Sequence, residues 1–440
     1  MTLRATDRYN IGRKPEEERG IFMKASKIVA LIMALVLAAS MSVAWAENAT
    51  PYLKEEQIDT LSSTRPIPGT DDQAYEINYT ADYRMDEFIQ TITENFLYHT
   101  TDCRMLMKKL LADGSGVDPL ERLTNGTPGC SSVVCKNADG VPVIGRNYDL
   151  DIRSNGATVV IHTAPEGGYK SVGVADCAQT GLSVNDLKNG TAKKELLLYA
   201  PYYTMDGVNE TGFAISIMLL NEGMNVQDTG KTWLPSTLVV RYLLDKADSV
   251  EHAIELLSQV DLRNDYFIDP VISAAAGVSF HWALTDAKGD KAVIEYVDGE
   301  MIVNRYPLKV KYNEADDSME VTYPKEETGY LLSTNFYVSE GFNNTAHDSG
   351  KWRYETLEKQ MSENPTPTNE QLKEIMKSAK YLMNDKDYMF EMIEQGKDVT
   401  NPDNWDWITI WTDILNTSEK SLTMWFRENY EVENTFAIEY

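Results

Sequence analysis

The sequence CSSVVCKNADGVPVIGRNYD occupies residues 130–149, and it predicts a β-hairpin. Two short runs rich in apolar residues, 132–135 and 141–144, flank the turn signal Asn-Ala-Asp-Gly at residues 137–140. Such a turn between two valine-rich runs is typical of antiparallel strands joined by a tight connection. The residues that could carry chemistry lie at the open end of this hairpin.

Residue pairing across the predicted hairpin follows from the position of its turn. With the turn centred between residues 138 and 139, paired positions sum to 277 and Cys130 faces Asn147. Arg146 and Asp149 then lie within one or two positions of that pair. We therefore expect a thiol, a guanidinium and a carboxylate to meet at the open end.

These three groups can activate a nucleophile. A cysteine thiol has an ordinary pKa of about 8.5, and a neighbouring Arg146 favours its thiolate. If the chain is cut between Gly129 and Cys130, the new α-amine, with a pKa of about 7.7–8.0, can accept the thiol proton, and Asp149 can orient that amine. A buried structural cysteine beside an ordinary ion pair would give the same pattern, so the hairpin alone leaves both interpretations open.

Residues 130–149 also resemble the opening of the choloylglycine hydrolase family. This family of N-terminal-nucleophile (Ntn) hydrolases acts on linear amides and includes bile salt hydrolases, penicillin V acylases, acid ceramidase and N-acylethanolamine acid amidase. Its members carry an arginine sixteen and an aspartate nineteen residues after the cysteine, as Arg146 and Asp149 are here. The resemblance implies an α+β fold, the four-layer αββα sandwich of Ntn hydrolases, a small-molecule N-acyl amide substrate and no cofactor or metal.

Later segments are similar to the family in the same order along the chain. Residues 206–212, Asp-Gly-Val-Asn-Glu-Thr-Gly, resemble a family turn that leads into a buried strand. The segment Ser-Thr-Asn-Phe at 333–336 resembles the one that carries an oxyanion-hole asparagine, which implies that role for Asn335. The similarity of Trp-Arg-Tyr at 352–354 implies that Arg353 belongs to the site.

One position departs from the family pattern. Bile salt hydrolases place a second oxyanion asparagine seven residues after the glycine that corresponds to Gly212, and that count reaches Leu219, which cannot donate. Asn221 follows two residues later and is succeeded by a glutamate, as in the ceramidase-type branch of the family. We expect Asn221 to be the second donor, although a polar residue at a strand end would look the same.

The N-terminal region predicts export. An apolar run at 28–40 follows two lysines and precedes the small-residue motif Ala-Trp-Ala at 44–46. This arrangement is typical of a secretory signal peptide, and the run is short for a membrane span. We expect residues 23–46 to be the signal peptide, cleavage after Ala46, and a secreted or extracytoplasmic chain without a membrane span.

Two further regions follow the signal peptide. Residues 47–129 are a pro-segment or small subunit, polar and extended at first and then helical, and 130–440 form the Ntn-hydrolase catalytic domain. Apolar residues recur at helical spacing over 83–112, which predicts one or two amphipathic helices. Because their apolar face would be poorly soluble alone, we expect the segment to stay bound to the catalytic domain after cleavage. The five side chains on which this rests are Phe88, Ile92, Phe96, Leu106 and Leu110.

Composition excludes several other classes of protein. The chain has 440 residues, with 41 Lys and Arg against 68 Asp and Glu, so its net charge is −27. Such an acidic chain repels phosphate backbones, so we expect no nucleic-acid partner. The sequence contains no HExxH, GxxxxGK[ST], GxGxxG or GxSxG motif, so common zinc-protease, P-loop, Rossmann and α/β-hydrolase assignments lose their usual support.

The remaining cysteines and one histidine have simpler interpretations. No CxxC pair occurs, which argues against a structural zinc site. Cys135 and Cys177 are expected to be small core residues, and Cys103 could form a disulfide in an oxidising compartment. His281 precedes a tryptophan in an apolar run and is more readily interpreted as a core residue than as a catalytic one.

Three functional hypotheses remain open from the sequence. The first is a secreted cysteine amidohydrolase that cleaves a linear carboxamide after autoproteolysis before Cys130. The second is a non-catalytic binding protein on the same fold that stays uncut at Gly129–Cys130. The third is an N-acyl transferase that uses the same site with an amine acceptor. Bile salts, penicillin V, N-acyl amino acids, N-acyl homoserine lactones and lipid amides are all candidate substrates.

Overall fold

The structure of the chain is a computed structural model that describes nine stretches between residues 53 and 438. The signal peptide expected at 23–46 and the proposed donor Asn221 lie outside the described residues. The described ranges are 53–97, 100–113, 129–151, 156–220, 227–263, 279–313, 318–341, 350–380 and 407–438.

The larger of two main sheets has nine strands in the order β1-β2-β5-β6-β7-β8-β11-β12-β13. Neighbouring strands are antiparallel except β2 and β5, which run parallel. Strands β6, β8 and β11 are buried along their whole length, as expected where both faces of a sheet are covered. The strands are β1 Arg65–Pro66, β2 Ala74–Tyr79, β5 Thr158–Thr163, β6 Ser171–Asp176, β7 Thr204–Asn209, β8 Ala214–Leu220, β11 Ser279–Thr285, β12 Lys291–Val297 and β13 Glu300–Asn304.

The smaller main sheet has six antiparallel strands in the order β16-β3-β4-β17-β18-β19 and contains the hairpin predicted from the sequence. Two minor pairs, β9 with β10 and β14 with β15, lie outside both sheets. The strands of the smaller sheet are β3 Gly129–Lys136, β4 Pro142–Asp151, β16 Tyr330–Ser333, β17 Trp407–Asn416, β18 Ser421–Phe426 and β19 Asn434–Ala437. The minor strands are β9 Thr232–Pro235, β10 Val260–Arg263, β14 Lys309–Asn313 and β15 Ser318–Thr322.

Helices cover the outer faces of the two stacked sheets. On the smaller sheet, the carbonyl of Met376 in α8 accepts a hydrogen bond from Asn147 of β4. On the larger sheet, the carbonyl of Leu244 in α5 accepts one from Asn209 of β7. The helices are α1 Glu55–Ser62, α2 Met85–Glu94, α3 Thr100–Leu111, α4 Val184–Lys188, α5 Val239–Lys246, α6 Val250–Ser258, α7 Gly350–Glu363 and α8 Asn369–Ser378, with 3₁₀ turns at Cys177–Thr180, Lys194–Tyr203 and Ser236–Leu238.

The inner faces of the two sheets meet in a core that includes buried polar contacts. Tyr148 of the smaller sheet donates a hydrogen bond of 2.7 Å to Asp176 of the larger sheet. The same tyrosine ring stacks on Trp411 with a centroid separation of 4.1 Å. Helix, sheet, sheet and helix thus form four layers, and the α+β αββα sandwich expected from the family resemblance is confirmed.

The hairpin has the predicted strands but a different register. Gly129 pairs with Asp149 and Cys130 with Tyr148, so paired positions sum to 278 instead of 277. The turn is one residue longer than expected, because the side-chain oxygen of Asn137 accepts hydrogen bonds from the backbone N–H groups of Asp139 and Val141. Cys130 therefore does not face Asn147, and this part of the prediction was wrong.

The N-terminal segment is more closely built into the fold than its composition indicated. Residues 74–79, expected from the sequence to be extended and partly flexible, form strand β2 and pair in parallel with 158–163. The hydroxyl of Tyr79 also donates to the carbonyl of Leu198 at 2.7 Å. This extended part of the N-terminal segment is therefore a strand of the larger sheet.

The two amphipathic helices predicted within 83–112 are present as α2 and α3. Most of their large apolar side chains are buried, but Met105 of α3 is 50% exposed, and Phe96 is 61% exposed. Phe96 lies just beyond the end of α2 at a positive φ of 50° and contacts the Trp233 ring edge-to-face. Among the described residues, no helix is long and apolar enough to cross a membrane.

The cysteine predictions can be compared directly with the structure. Cys135 and Cys177 are buried core residues, as expected. Cys103 is a buried thiol whose Sγ lies 3.8 Å from the carbonyl oxygen of Leu97. The disulfide considered for Cys103 is therefore not formed in this structure.

Candidate active site

Strand alternation divides the site into two faces. Directly paired residues of an antiparallel hairpin share a face, and so do residues two positions apart. Cys130, Tyr148 and Arg146 therefore project into the core between the sheets. Asp149, which pairs with Gly129, projects to the opposite face, toward α7. The thiol and the backbone nitrogen of Cys130 are consequently contacted by different groups.

Arg146 lies next to the thiol. Its Nη2 is 3.3 Å from Cys130 Sγ and also donates to the carbonyl of Ile217 at 2.8 Å. Its Nη1 donates to Asp206 at 2.8 Å, which fixes the plane of the guanidinium. The backbone of Leu219 forms a further hydrogen bond with the thiol. Two strands of the larger sheet, β7 and β8, thus help to position groups around the Cys130 thiol.

Burial dominates the acidity of this thiol in the uncut chain. It raises the pKa of Cys130 to about 11, while Arg146 acts in the opposite direction and Asp149 adds to the increase. Before any cleavage the sulfur is therefore a thiol at neutral pH. A base close to Sγ is needed to generate the nucleophile.

Asn335 holds the backbone nitrogen of Cys130. Its Oδ1 accepts hydrogen bonds from Cys130 N at 2.8 Å and from Arg353 Nη2 at 2.6 Å. Its Nδ2 donates to the carbonyl of Leu219 at 2.7 Å. Because a guanidinium and a backbone N–H can only donate and a carbonyl can only accept, these three contacts define the orientation of the amide.

Asp149 lies on the same side of the hairpin as Arg353, to which it is bonded. Its Oδ2 accepts from Arg353 Nη1 at 2.6 Å, and its Oδ1 accepts from the hydroxyl of Thr409 at 2.6 Å. Burial raises the pKa of Asp149, and Arg353 partly offsets this increase. A Cβ atom at position 129 would lie 3.2 Å from Asp149 Cβ, so glycine allows the backbone to approach this carboxylate closely.

The structure brings five of the six predicted site residues together: Cys130, Arg146, Asp149, Asn335 and Arg353. Asn221, the sixth, lies outside the described residues. Leu219 was set aside because it cannot donate, but this is true only of its side chain. Its backbone contacts both Cys130 and Asn335. Counting side-chain types along a strand could not detect that contribution.

Two site residues were missed as functional candidates, and they form a buried carboxyl pair behind Arg146. Asp206 accepts from Arg146 and, at 3.2 Å, from Trp411 Nε1. Asp413 is paired with Arg146 across β17 and β4. Among the described residues no hydrogen-bond donor reaches either Asp413 oxygen. Burial raises the pKa of Asp206 to about 6 and that of Asp413 well above its usual range. Burial of the two carboxyl groups beside each other thus favours their protonated forms.

This pair predicts a pH dependence of stability. The folded protein holds a proton on Asp206 up to a pH of about 6, whereas the unfolded chain releases it near its model value of 3.8. Because the folded state binds more protons in this window, the free energy of unfolding should fall as pH rises from about 4 to about 6. Asp413→Asn should reduce that slope and stabilise the protein at pH 7.5 by about 1–3 kcal/mol, since its amide can donate to Asp206.

Urea unfolding of the Cys130→Ala protein, with and without Asp413→Asn, at several pH values measures this effect without interference from cleavage. The two proteins differ only at position 413. The contribution of the other buried carboxyl groups to the pH dependence of stability is therefore the same in both. An unchanged slope together with lower stability at pH 7.5 would show that Asp413 is not protonated beside Asp206.

Comparison with known proteins confirms the resemblance inferred from the hairpin. Residues 130–330 match the family model described as linear amide C-N hydrolases, choloylglycine hydrolase family, so the matched region begins at Cys130 itself. A penicillin V acylase from Pectobacterium atrosepticum is 31% identical over 107 residues. That alignment covers 23% of this chain and 27% of the relative, so the chain spans about a quarter of the length of this curated relative.

Solved structures of a penicillin V acylase and of a conjugated bile acid hydrolase are also similar to this chain. Penicillin V acylase from Agrobacterium tumefaciens matches with a TM-score of 0.41 and 15% identity, over 70% of this chain and 85% of that one. A variant of the conjugated bile acid hydrolase from Clostridium perfringens matches with a TM-score of 0.44 and 13% identity, over 70% of this chain and 92% of that one.

Proposed function

We propose that this chain, whose residues 130–330 match the choloylglycine hydrolase family, is a secreted cysteine amidohydrolase that cleaves a linear N-acyl amide after autoproteolysis before Cys130. The observation that carries this proposal is the distribution of contacts around Cys130. A guanidinium contacts the sulfur, whereas Asn335 contacts the nitrogen and is itself bonded to Arg353, which also binds Asp149. A nitrogen with polar groups of this kind is suited to become a catalytic amine.

The maturation step needs only groups of this chain and one water. Cys130 Sγ attacks the carbonyl carbon of Gly129, and the thiol proton passes to the nitrogen of Cys130. The C–N bond breaks with that proton transfer, so that Gly129 forms a thioester and Cys130 gains a free α-amine. Water hydrolyses the thioester and leaves a carboxylate on Gly129 and a free thiol and α-amine on Cys130. Arg146 stabilises the sulfur while it is negatively charged.

The catalytic cycle uses the same atoms with an external amide. The α-amine of Cys130 accepts the thiol proton, and Sγ attacks the substrate carbonyl. The amine then donates that proton to the leaving nitrogen as the thioester forms, and water releases the acid. Asn335 Oδ1 holds the α-amine as it holds the backbone N–H. A shift of its Nδ2 from Leu219 to the substrate oxygen would provide an oxyanion donor.

The names of the similar proteins guide the choice of substrate. The matched proteins are described as acting on penicillin V and on conjugated bile acid. We propose an N-acyl amide with an apolar acyl group, and penicillin V and glycocholate are the first compounds to test. The apolar run at 28–40 with its Ala-Trp-Ala motif supports export of the enzyme.

We further propose that residues 47–129 stay bound after cleavage. All six residues of strand β2 pair with residues of β5, and the side chain of Ile77 is completely buried. Dissociation would expose this edge of the larger sheet and the apolar faces of α2 and α3 to water. The segment is therefore expected to behave as a small subunit.

The proposed function predicts a specific processing event. The purified secreted protein should give two fragments on denaturing mass spectrometry, and N-terminal sequencing of the larger one should begin Cys-Ser-Ser-Val at residue 130. Under native conditions the two fragments should elute together. The same preparation should release 6-aminopenicillanic acid from penicillin V or glycine from glycocholate.

Three outcomes would contradict the proposal or change it. Full amidase activity in a chain whose Gly129–Cys130 bond is intact would exclude the α-amine as the base. Transfer of the acyl group to added hydroxylamine or glycine in preference to water would assign an acyl transferase instead. An uncut chain that binds glycocholate without hydrolysing it would favour a binding protein.

A further inference from the structure

A buried histidine links the larger sheet to the segment that carries Asn335. His281 lies on β11 and is fully buried. Its Nε2 is 2.7 Å from the carbonyl oxygen of Thr334, the residue directly before Asn335. A carbonyl oxygen can only accept, so Nε2 carries a hydrogen and donates it to Thr334.

A buried glutamate on the next strand extends this contact. Glu295 lies on β12, and its Oε1 is 2.8 Å from Nδ1 of His281. The same oxygen accepts from the backbone N–H of Val338 at 2.8 Å, and Oε2 accepts from that of Ser339 at 2.8 Å. The hydroxyl of Ser339 donates to Oε2 as well. One carboxylate thus receives several donors from one short segment.

These contacts hold the segment 334–339 at both ends. His281 binds the carbonyl at its start, and Glu295 binds two backbone N–H groups at its end, while Asn335 projects from between them toward Cys130. The hydroxyl of Thr334 also donates to the carbonyl of Gly350 at the start of α7, the helix that carries Arg353. In the described part of the chain the segment lies outside the strands after Ser333, and the side chains of His281 and Glu295 bind it at its two ends.

We propose that His281 and Glu295 are positioning residues that hold the amide of Asn335 against the nitrogen of Cys130. Neither residue touches the reacting atoms in this structure. Their effect on turnover rests on the proposed function, because it requires that Asn335 act on the Cys130 amine or on the substrate. Displacement of a positioned group by about 1 Å can reduce a rate by about 10²-fold, so a modest shift of Asn335 should be measurable.

Two substitutions of His281 separate positioning from simple core packing. His281→Gln places an amide donor near the position of Nε2 and can keep the bond to Thr334. His281→Asn places its donor near Nδ1, toward Glu295, and loses the bond to Thr334. With penicillin V as substrate, we expect His281→Asn to lower kcat by about 10–100-fold with KM changed less than about threefold. His281→Gln should recover most of that loss.

A matched control comes from another buried charged cluster. Asp245 of α5 accepts from Arg241 and from the hydroxyl of Tyr83, and it bonds none of the site residues. Asp245→Asn should lower stability to an extent similar to that of Glu295→Gln but leave kcat near the wild-type value. Equal kcat losses in Asp245→Asn and His281→Asn, or no difference between His281→Asn and His281→Gln, would overturn the proposal.

Hydrogen exchange tests the same idea without any turnover. In the Cys130→Ala protein, Glu295→Gln should accelerate exchange of the backbone amides at 336–339, while Asp245→Asn should not. If neither penicillin V nor glycocholate is hydrolysed, the proposed function fails. The exchange experiment still shows whether Glu295 holds the segment 334–339. Unchanged exchange at 336–339 in Glu295→Gln would show that Glu295 does not hold this segment.

Discussion

Replacing Cys130 with alanine should abolish amide hydrolysis, with kcat lower by at least about 10⁴-fold. Removal of the sulfur eliminates the nucleophile, and the Arg146 donor that lies 3.3 Å from it loses its target. The same substitution should leave Gly129–Cys130 uncut, because the proposed cleavage uses this sulfur. Initial rates with penicillin V and intact-protein mass spectrometry measure the two effects on one sample.

Cys135 offers a matched control for this experiment. It lies on the same strand, is buried to a similar degree and contacts none of the site residues in the described structure. Cys135→Ala should cost some stability through the lost packing, yet the chain should still be cut and active. If Cys130→Ala retained more than about a hundredth of wild-type kcat, another group would have to be the nucleophile.

Substitution of Asn335 by alanine should lower kcat by about 10²–10³-fold, the usual effect of losing an oxyanion or positioning amide. In the uncut chain this side chain holds the nitrogen of Cys130 and shares its oxygen with Arg353. Its loss would leave the α-amine of Cys130, formed by the proposed cleavage, without its hydrogen-bond acceptor. KM should change by less than about fivefold, since the amide acts on reacting atoms more than on the acyl chain.

Asn209→Ala is the corresponding control. Asn209 is also a buried asparagine whose side chain bonds several backbone groups, but those groups are the carbonyls of Leu244 and Ala247 and the turn at 211–213. It should therefore reduce stability without a comparable loss of kcat. A defect of Asn335→Ala confined to KM would move this residue from the chemistry to substrate recognition.

The local parts of the site could be predicted from sequence. The hairpin, its turn and the spacing from Cys130 to Arg146 and Asp149 depend on neighbours within twenty residues, and a strand pattern records such relations directly. Even so, the register was wrong by one, because the side chain of Asn137 adds a residue to the turn. A shift of one position changes which residue faces Cys130.

The remaining parts depend on contacts between distant segments. Asp413 approaches Arg146 only because β17 pairs with β4, and no local pattern identifies that partner. The roles of His281 and Glu295 follow from the position of the 334–339 segment, which the sequence of β11 does not reveal. Strand β2 pairs in parallel with β5, and a parallel partner needs no turn signal between the two.

Strand β2 has a consequence for how the active enzyme could be prepared. Residues 74–79 pair with 158–163, which lie on the other side of the proposed cleavage before Cys130. If that bond is hydrolysed, refolding from denaturant becomes an encounter of two separate chains, and the severed peptide bond does not reform. The uncut precursor would then regain its structure on dilution in a first-order process, whereas the mature enzyme would regain activity slowly, in a concentration-dependent manner and with aggregation. In such a protein the persistence of the mature form is set by its rate of unfolding rather than by a reversible equilibrium.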